Sequence, residues 1–310
     1  MQKRAFGNTG LEVSPVGFGG APVGFLQTEQ RQVAAILNLL LDRGVNLIDT
    51  AAIYPGSEEA IGRAVAGRRD DYILVSKCGQ AFEDLPGEEW SAEVIEKTIE
   101  RSIRRLRTDR LDVMLLHSCD LPTLEKGEAI AALVKAREAG KIRFAGYSGD
   151  NEAAAFAAED SELAVVETSI NVCDQANIDL MLLTAVQKDV GIVAKRPLAN
   201  AAWRKASEQP GMYADYAAEY MRRFQAMNLS PAELGVAGPP EKAWPEVALR
   251  FSLSHPGVHT AIVGTTDPRH AETNLTIAEK GPLPDDLVEK IKAAFREAEA
   301  ESGTKWTGQI

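Results

Sequence analysis

Four side chains in the first half of the chain, Asp49, Tyr54, Lys77 and His117, have types that could share one reaction. Asp49 ends the apolar run "NLI", and Tyr54 follows it in the next few residues. Lys77 ends "YILVS" and His117 ends "DVMLL". A lone Asp or Lys after such a run could be a structural ion pair, and a lone His a satisfied core histidine. Three of them at successive runs, with a tyrosine close by, favour a common site. A phenol with its ordinary pKa of about 10 is a poor acid at neutral pH. A neighbouring ammonium stabilises the phenolate and pulls that value toward the working range. A carboxylate paired with the ammonium keeps it charged and in place. A neutral imidazole can hydrogen-bond a carbonyl oxygen and orient it. This set can protonate an oxyanion as it forms, but it supplies no electrons, so a reduction here needs a bound hydride donor.

Those residues need elements to bring them together, and the chain alternates accordingly. Counting "VSPVGFGG" as the first, the runs "NLIDTA", "YILVSKCG", "RLDVMLLHS", "IRFAGYSG", "LAVVETSIN", "GIVAKRPL" and "HTAIVGT" read as eight strands. Helical patterns lie between them. In "TEQRQVAAILNLLLDRG", Val33, Ile36, Leu37, Leu40 and Leu41 are at helical spacing, with Thr28 to cap the start and Gly44 to end it. In "GSEEAIGRAVAGR", Ser57 reads as the N-cap and two acids follow where they suit the dipole. "LEKGEAIAALVKAREAGK" reads as a single helix. Near-continuous apolar strands separated by helices imply parallel strands buried on both faces. Eight such units favour an α/β fold of the closed (β/α)8 TIM-barrel kind, in which chemistry sits where strands end and the following loops begin. "KRAFGNTGLEV" reads as an N-terminal β-hairpin turning at Asn8-Thr9-Gly10. "LPDDLVEKIKAAFREAEAESG" reads as an extra C-terminal helix. Residues 1–310 form a single barrel domain on this reading. Residues 199–240, with Pro210, Gly211, Pro231, Pro239 and Pro240, form a long loop insertion near the active-site face.

Composition narrows the partners. Lys plus Arg is 34 and Asp plus Glu 45, a balance of −11 that argues against nucleic acid and anionic membranes. An anionic small ligand held by a few local donors stays open. No apolar run approaches the roughly 18 residues of a membrane span, and "MQKRAFGNTG" lacks a signal peptide's apolar core. Cys78, Cys119 and Cys173 are scattered without C-x-x-C, which fits a reducing cytoplasm. Alternation turns Cys78 away from the face that Lys77 uses, so packing is its expected role. "HPGVH" breaks any helix joining His255 to His259, and with four histidines in all no metal site is expected. "GFGGAPVG" has Pro22 where a nucleotide loop would need its third glycine, so it reads as the end of the first strand. The basic residues at 101–110 read as a solvated helix face. Trp90, Trp203, Tyr213 and Tyr216 could wall a substrate pocket or pin loops.

Polar residues gather at the ends of the other strands too: Ser148, Glu167 with Asn171, and Lys195-Arg196. With them the chain resembles the aldo-keto reductase family over nearly its whole length. "GVNLIDTAAIYPGSEEAIG" resembles the family signature, in which Gly-Val-Asn, Ile-Asp-Thr-Ala, Tyr and Ser-Glu recur. "ILVSKCG" and "RLDVMLLHS" resemble its lysine and histidine strands, "GKIRFAGYS" its fifth strand, and "GTTDPRHAETNL" its cofactor motif. The resemblance implies a catalytic tetrad of Asp49, Tyr54, Lys77 and His117, with Tyr54 the acid in reduction and the base in oxidation. It implies reduction of an aldehyde, ketone or sugar carbonyl by a nicotinamide cofactor, NADP(H) ahead of NAD(H), bound across the barrel mouth. Ser148 would contact the nicotinamide carboxamide, Gly264 and Thr265 the phosphates, and Asn274 the adenine.

The chain departs from the family pattern at several of these places. Gly149 replaces an asparagine, and Glu167 a glutamine that holds the carboxamide. Lys195 stands where an aromatic stacks on the nicotinamide. Gly264 and His270 occupy positions where Lys or Arg meets the 2′-phosphate, and Arg269, one residue early, substitutes. Two rival readings stay open: a Schiff-base lyase with Lys77 as the amine, and a non-catalytic nucleotide-binding regulator.

Overall fold

The computed structural model describes residues 1–209 and 213–309, with residues 213–216 described by backbone alone. The N-terminal hairpin pairs β1 (Arg4–Ala5) with β2 (Glu12–Val13), turning through Gly10 in the left-handed region. Eight parallel strands follow: β3 (Val16–Gly19), β4 (Leu47–Asp49), β5 (Ile73–Cys78), β6 (Leu111–His117), β7 (Ile142–Ser148), β8 (Val165–Ser169), β9 (Gly191–Lys195) and β10 (Val258–Val263). Each pairs with the next, and β10 pairs with both β9 and β3, which closes the barrel. The predicted TIM-barrel class and hairpin are both present.

Alternation along the strands separates two apolar layers. Leu47, Val75, Val113, Leu115, Val165, Val193 and Ile262 point into the barrel, where Phe6 and Val13 of the hairpin join them. Ile48, Leu74, Met114 and Leu116 point outward against helix residues such as Val33, Ile36 and Leu37. Register then decides which polar residues meet at the mouth. His117 pairs with Ser148 and Ser148 with Glu167, so three strand ends form one row.

Several local expectations change. Helix Gln30–Asp42 has Glu29 at its N-cap; the Thr28 hydroxyl instead donates to the Pro22 carbonyl at 2.9 Å. Ser57 is the first residue of helix Ser57–Ala64 rather than its cap. Its buried hydroxyl donates to Gly20 O at 3.1 Å and shares a 2.9 Å bond with Thr50 Oγ1, which ties three loops together. Gly127, at φ +77°, divides the expected single helix into Leu121–Lys126 and Glu128–Glu138. Arg101 is buried against Asp84 at 2.6 Å and over the Phe82 ring, so the basic face is not wholly solvated.

The insertion at 199–240 is not one long loop. It carries helix Tyr213–Met227, whose Ala217, Tyr220 and Met227 are buried at helical spacing. Pro210 and Gly211 lie outside the described residues, as do the side chains of Tyr213 and Tyr216. Trp203 stacks on Trp244 at 6.3 Å, and Trp90 fills the space beside Gly79, so both pin loops.

The C-terminal helix Asp285–Ser302 packs Val288, Ile291, Phe295 and Ala298 against this second core. The tail then turns back over the strand ends. Trp306, 1% exposed, meets Phe295 edge-on at 5.0 Å and donates from Nε1 to Ser302 Oγ at 3.0 Å. Beyond it, Gly308 N donates to Asn151 Oδ1 at 2.7 Å and Gln309 N to Asp174 Oδ2 at 2.9 Å. Trp306→Ala should therefore cost about 3–5 kcal/mol in urea unfolding. It should also open the tail beyond Ser302 to limited proteolysis; an unchanged cleavage rate would show that the hydrogen bonds alone hold the tail.

Candidate active site

Tyr54 sits in the loop after β4, and glycines let neighbouring backbone approach it. A Cβ on Gly24 would lie 2.9 Å from the backbone of Tyr54 and Pro55, and one on Gly20 would lie 2.8 Å from Asp49 O. The short helix Ala21–Phe25 thus lies against the loop, with the Phe25 ring 5.2 Å from the Tyr54 ring. The His117 ring stands edge-on at 5.9 Å. The Lys77 ammonium is 5.5 Å from the Tyr54 ring centroid.

Lys77 has no solvent exposure, so its charge needs partners inside the protein. Its Nζ donates to Asp49 Oδ1 at 2.5 Å and to the Thr50 carbonyl at 3.0 Å, and Glu167 Oε1 lies at 3.4 Å. Burial alone would lower the lysine's pKa, but Asp49 and Glu167 outweigh it and hold the ammonium charged. Burial, with Glu167 alongside, raises the Asp49 carboxyl against the pull of Lys77. Burial also pushes the Tyr54 phenol up to about 12. The downward pull of Lys77 expected from the sequence is present, but desolvation exceeds it, so the resting phenol keeps its proton. Burial, then Lys77, Lys195 and Arg196, press the His117 pKa well down and leave a neutral imidazole. Its Nδ1 is buried without a hydrogen-bond partner among the described residues. The His117 carbonyl accepts from Gln80 Nε2 at 2.6 Å.

Ser148 donates to Glu167 Oε1 at 3.2 Å, and Glu167 Oε2 is buried without a hydrogen-bond partner among the described residues. The asparagine place after Ser148 is closed to any side chain. A Cβ on Gly149 would lie 2.1 Å from Tyr147 Oη, which donates to the Cys119 carbonyl at 2.8 Å. The Lys195 amine pairs with Asp150 Oδ2 at 2.8 Å. Asp150 Oδ1 accepts from Thr168 Oγ1, Ser169 N and Asn177 Nδ2. Burial opposes the Asp150 charge, but Lys195 and Arg196 hold its pKa down. Arg196 donates to Ser169 Oγ at 3.2 Å and to the Gln309 carbonyl, and it bonds Tyr220. Tyr220 in turn donates to Asp174 Oδ2 at 2.8 Å. Burial and Asp150 lift Asp174 to about 6.

The remaining expected residues gather apart from this centre, around the N-terminus of helix Pro268–Glu279. Gly264 has Pro22 so close that a Cβ would lie 2.7 Å from its ring. Thr265 and Asp267 bond each other across the turn. Arg269 is exposed and grips Asp267 at 2.6 Å. His270 is exposed and Asn274 is buried.

Sequence reasoning missed Asp150, Asp174, Tyr220, Gln80 and Phe25. Asp150 stands two residues past Ser148 and belonged to the same polar cluster. Tyr220 was readable from the apolar spacing of Ala217, Tyr220, Phe224 and Met227. Gln80 and Phe25 carry no local signal, because their roles come from contacts across the barrel.

A family model described as "Aldo/keto reductase family" matches residues 15–296. The L-galactose dehydrogenase of Arabidopsis thaliana is 29% identical over 297 residues, covering 89% of this chain and 87% of that one. An uncharacterized oxidoreductase of Bacillus subtilis is 27% identical over 94% of this chain and 96% of its own. Among solved structures, an aldo-keto reductase of Bacillus halodurans in its holo form superposes with a TM-score of 0.78. It is 25% identical and covers 95% of this chain and 96% of that one. The closed barrel and the extent of the family match place this chain in the aldo/keto reductase family, as an NAD(P)-dependent oxidoreductase of small carbonyl compounds.

Proposed function

We propose that this chain reduces an aldehyde, ketone or sugar carbonyl, reversibly, with Tyr54 as the proton donor. The observation that carries this is the buried Lys77–Asp49 pair beside a protonated phenol, itself flanked by a neutral His117. A bound nicotinamide supplies the hydride. Tyr54 passes its proton to the carbonyl oxygen as negative charge develops there. Lys77 stabilises the phenolate that remains, and Asp49 keeps Lys77 charged and aimed. His117 hydrogen-bonds the carbonyl oxygen and fixes its direction. In oxidation the Tyr54 phenolate takes the proton back.

The residues suit such a cofactor. Glu167 Oε2, buried and unmet, is an acceptor for a carboxamide N–H, with Ser148 beside it. Gly264, Thr265 and the start of helix Pro268–Glu279 suit phosphates, and Asn274 suits the adenine. Arg269, with His270, is the proposed partner of a 2′-phosphate, which makes NADP(H) the expected cofactor ahead of NAD(H). Lys195 enters this site as a neutralised pair with Asp150 and not as a free amine. The likeness to an L-galactose dehydrogenase supports a sugar among the candidate substrates. Asp49 at 2.5 Å holds Lys77 protonated, which opposes the Schiff-base reading. Among the described residues no helix is long and apolar enough to cross a membrane. The cytoplasm is the proposed location, with no nucleic acid or membrane partner.

Tyr54→Phe should lower turnover of aldehyde substrates by about 10²–10⁴-fold and leave cofactor binding intact by fluorescence titration. A Phe variant that keeps most of its activity would refute the assignment. Arg269→Ala should weaken NADPH binding about tenfold and leave NADH unchanged. Equal losses for both cofactors would remove Arg269 from the 2′-phosphate.

A further inference from the structure

The charges at the centre do not balance locally. One ammonium, Lys77, faces two carboxylates, Asp49 at 2.5 Å and Glu167 at 3.4 Å. The neighbouring cations are already engaged. Lys195 pairs with Asp150 at 2.8 Å, and Arg196 bonds Ser169, Tyr220 and the Gln309 carbonyl. Glu167 Oε1 accepts from Ser148 at 3.2 Å, and the Asp49 and Glu167 carboxyls are in hydrogen-bond contact. The residue is 2% exposed, and its Oε2 has no partner among the described residues. A buried carboxylate oxygen left this way is costly, and a cationic or N–H-bearing ligand would relieve it.

Any ring that exchanges hydride with a carbon held at Tyr54 must come within about 3–3.5 Å of that carbon. Lys77 Nζ lies 5.5 Å from the Tyr54 ring centroid and 3.4 Å from Glu167 Oε1, so the charge of Glu167 bears on a ring held beside Tyr54. A nicotinamide ring is a cation when oxidised and neutral when reduced. The charge of Glu167 therefore acts on the difference between the two forms.

We propose that Glu167 selects the redox state of the cofactor: it makes this site hold the oxidised, cationic nicotinamide more tightly than the reduced one. This biases the bound reaction toward alcohol oxidation, and it rests on the nicotinamide reading of the site. In that direction the carbinol C–H hydrogen leaves with its electron pair for the nicotinamide C4. The O–H proton passes to the Tyr54 phenolate, and the C=O bond forms. Where alcohol and carbonyl bind equally well, the ratio of the two cofactor affinities equals the displacement of the on-enzyme equilibrium, because binding and the bound reaction form a closed cycle.

Calorimetric titration of the wild type and of Glu167→Gln with NADP+, NADPH and 2′-phospho-ADP-ribose, which lacks the nicotinamide, tests this. The wild type should bind NADP+ more tightly than NADPH. The Gln variant should shift that ratio about tenfold toward NADPH, through weaker NADP+ binding. Its affinity for 2′-phospho-ADP-ribose should not change, which shows that the variant is folded. A ratio that stays within twofold of the wild type overturns the proposal while leaving the nicotinamide reading in place. If the wild type binds neither nucleotide, both fall. If the variant has lost 2′-phospho-ADP-ribose binding and is misfolded, the wild type decides alone: tighter NADPH than NADP+ overturns the proposal.

Discussion

An ammonium with no access to water stays charged only while carboxylates surround it, and the Lys77–Asp49 contact meets that condition at 2.5 Å. The rest of the centre is arranged around it. Leaving one partner of a buried pair alone typically costs about 3–5 kcal/mol, so neither residue can be lost without disturbing the other. The pair also sets the chemistry nearby. Its ammonium stabilises whatever negative charge Tyr54 acquires and, together with burial, helps to keep His117 neutral. A charged lysine and a neutral imidazole stand at one site because carboxylates surround the first while burial, with the nearby cations, holds down the second.

The barrel makes that pair possible. β4 and β5 are adjacent parallel strands, so their ends bring Asp49 and Lys77 together at the mouth, while alternating neighbours fill the core. Tyr54 has no strand to hold it. It is held by packing, with Phe25 and His117 against its ring, and by glycines at positions 20 and 24 that let backbone approach. A second network runs around the far side of the mouth, from Lys195 and Asp150 through Arg196 and Tyr220 to Asp174 and the C-terminal tail. Most of its members are buried, and they bond one another from strand end to tail. Glu167 lies between the two networks and is fully satisfied by neither.

Legibility in the sequence followed the range of each interaction. Period-two and near-continuous apolar runs are local, and they named all eight barrel strands. The helix hidden in residues 213–227 was equally local, but prolines and glycine around it drew the reading toward a loop. Thr28 and Ser57 are residue types that cap helices, yet the Pro22 and Gly20 carbonyls claimed their hydroxyls. Propensity ranks such residues; it does not know which acceptor lies nearby. Trp90 and Trp203 were ambiguous for the same reason, since pinning a loop and lining a pocket need the same ring.

The sequence by itself determined the barrel, the order of its strands, and the gathering of Asp49, Lys77, His117, Ser148 and Glu167 at strand ends. Each of these follows from the local rule that apolar strands alternate with helices and turn polar where they meet the mouth. Only the tertiary structure decided how the charges divide. It paired Lys195 with Asp150, and it closed the place of an asparagine at Gly149 with the Tyr147 ring. It also set two carboxylates against one ammonium and left Glu167 Oε2 unmet. Those outcomes depend on distances of a few ångströms between elements remote in the chain, and on burial that multiplies the effect of each charge.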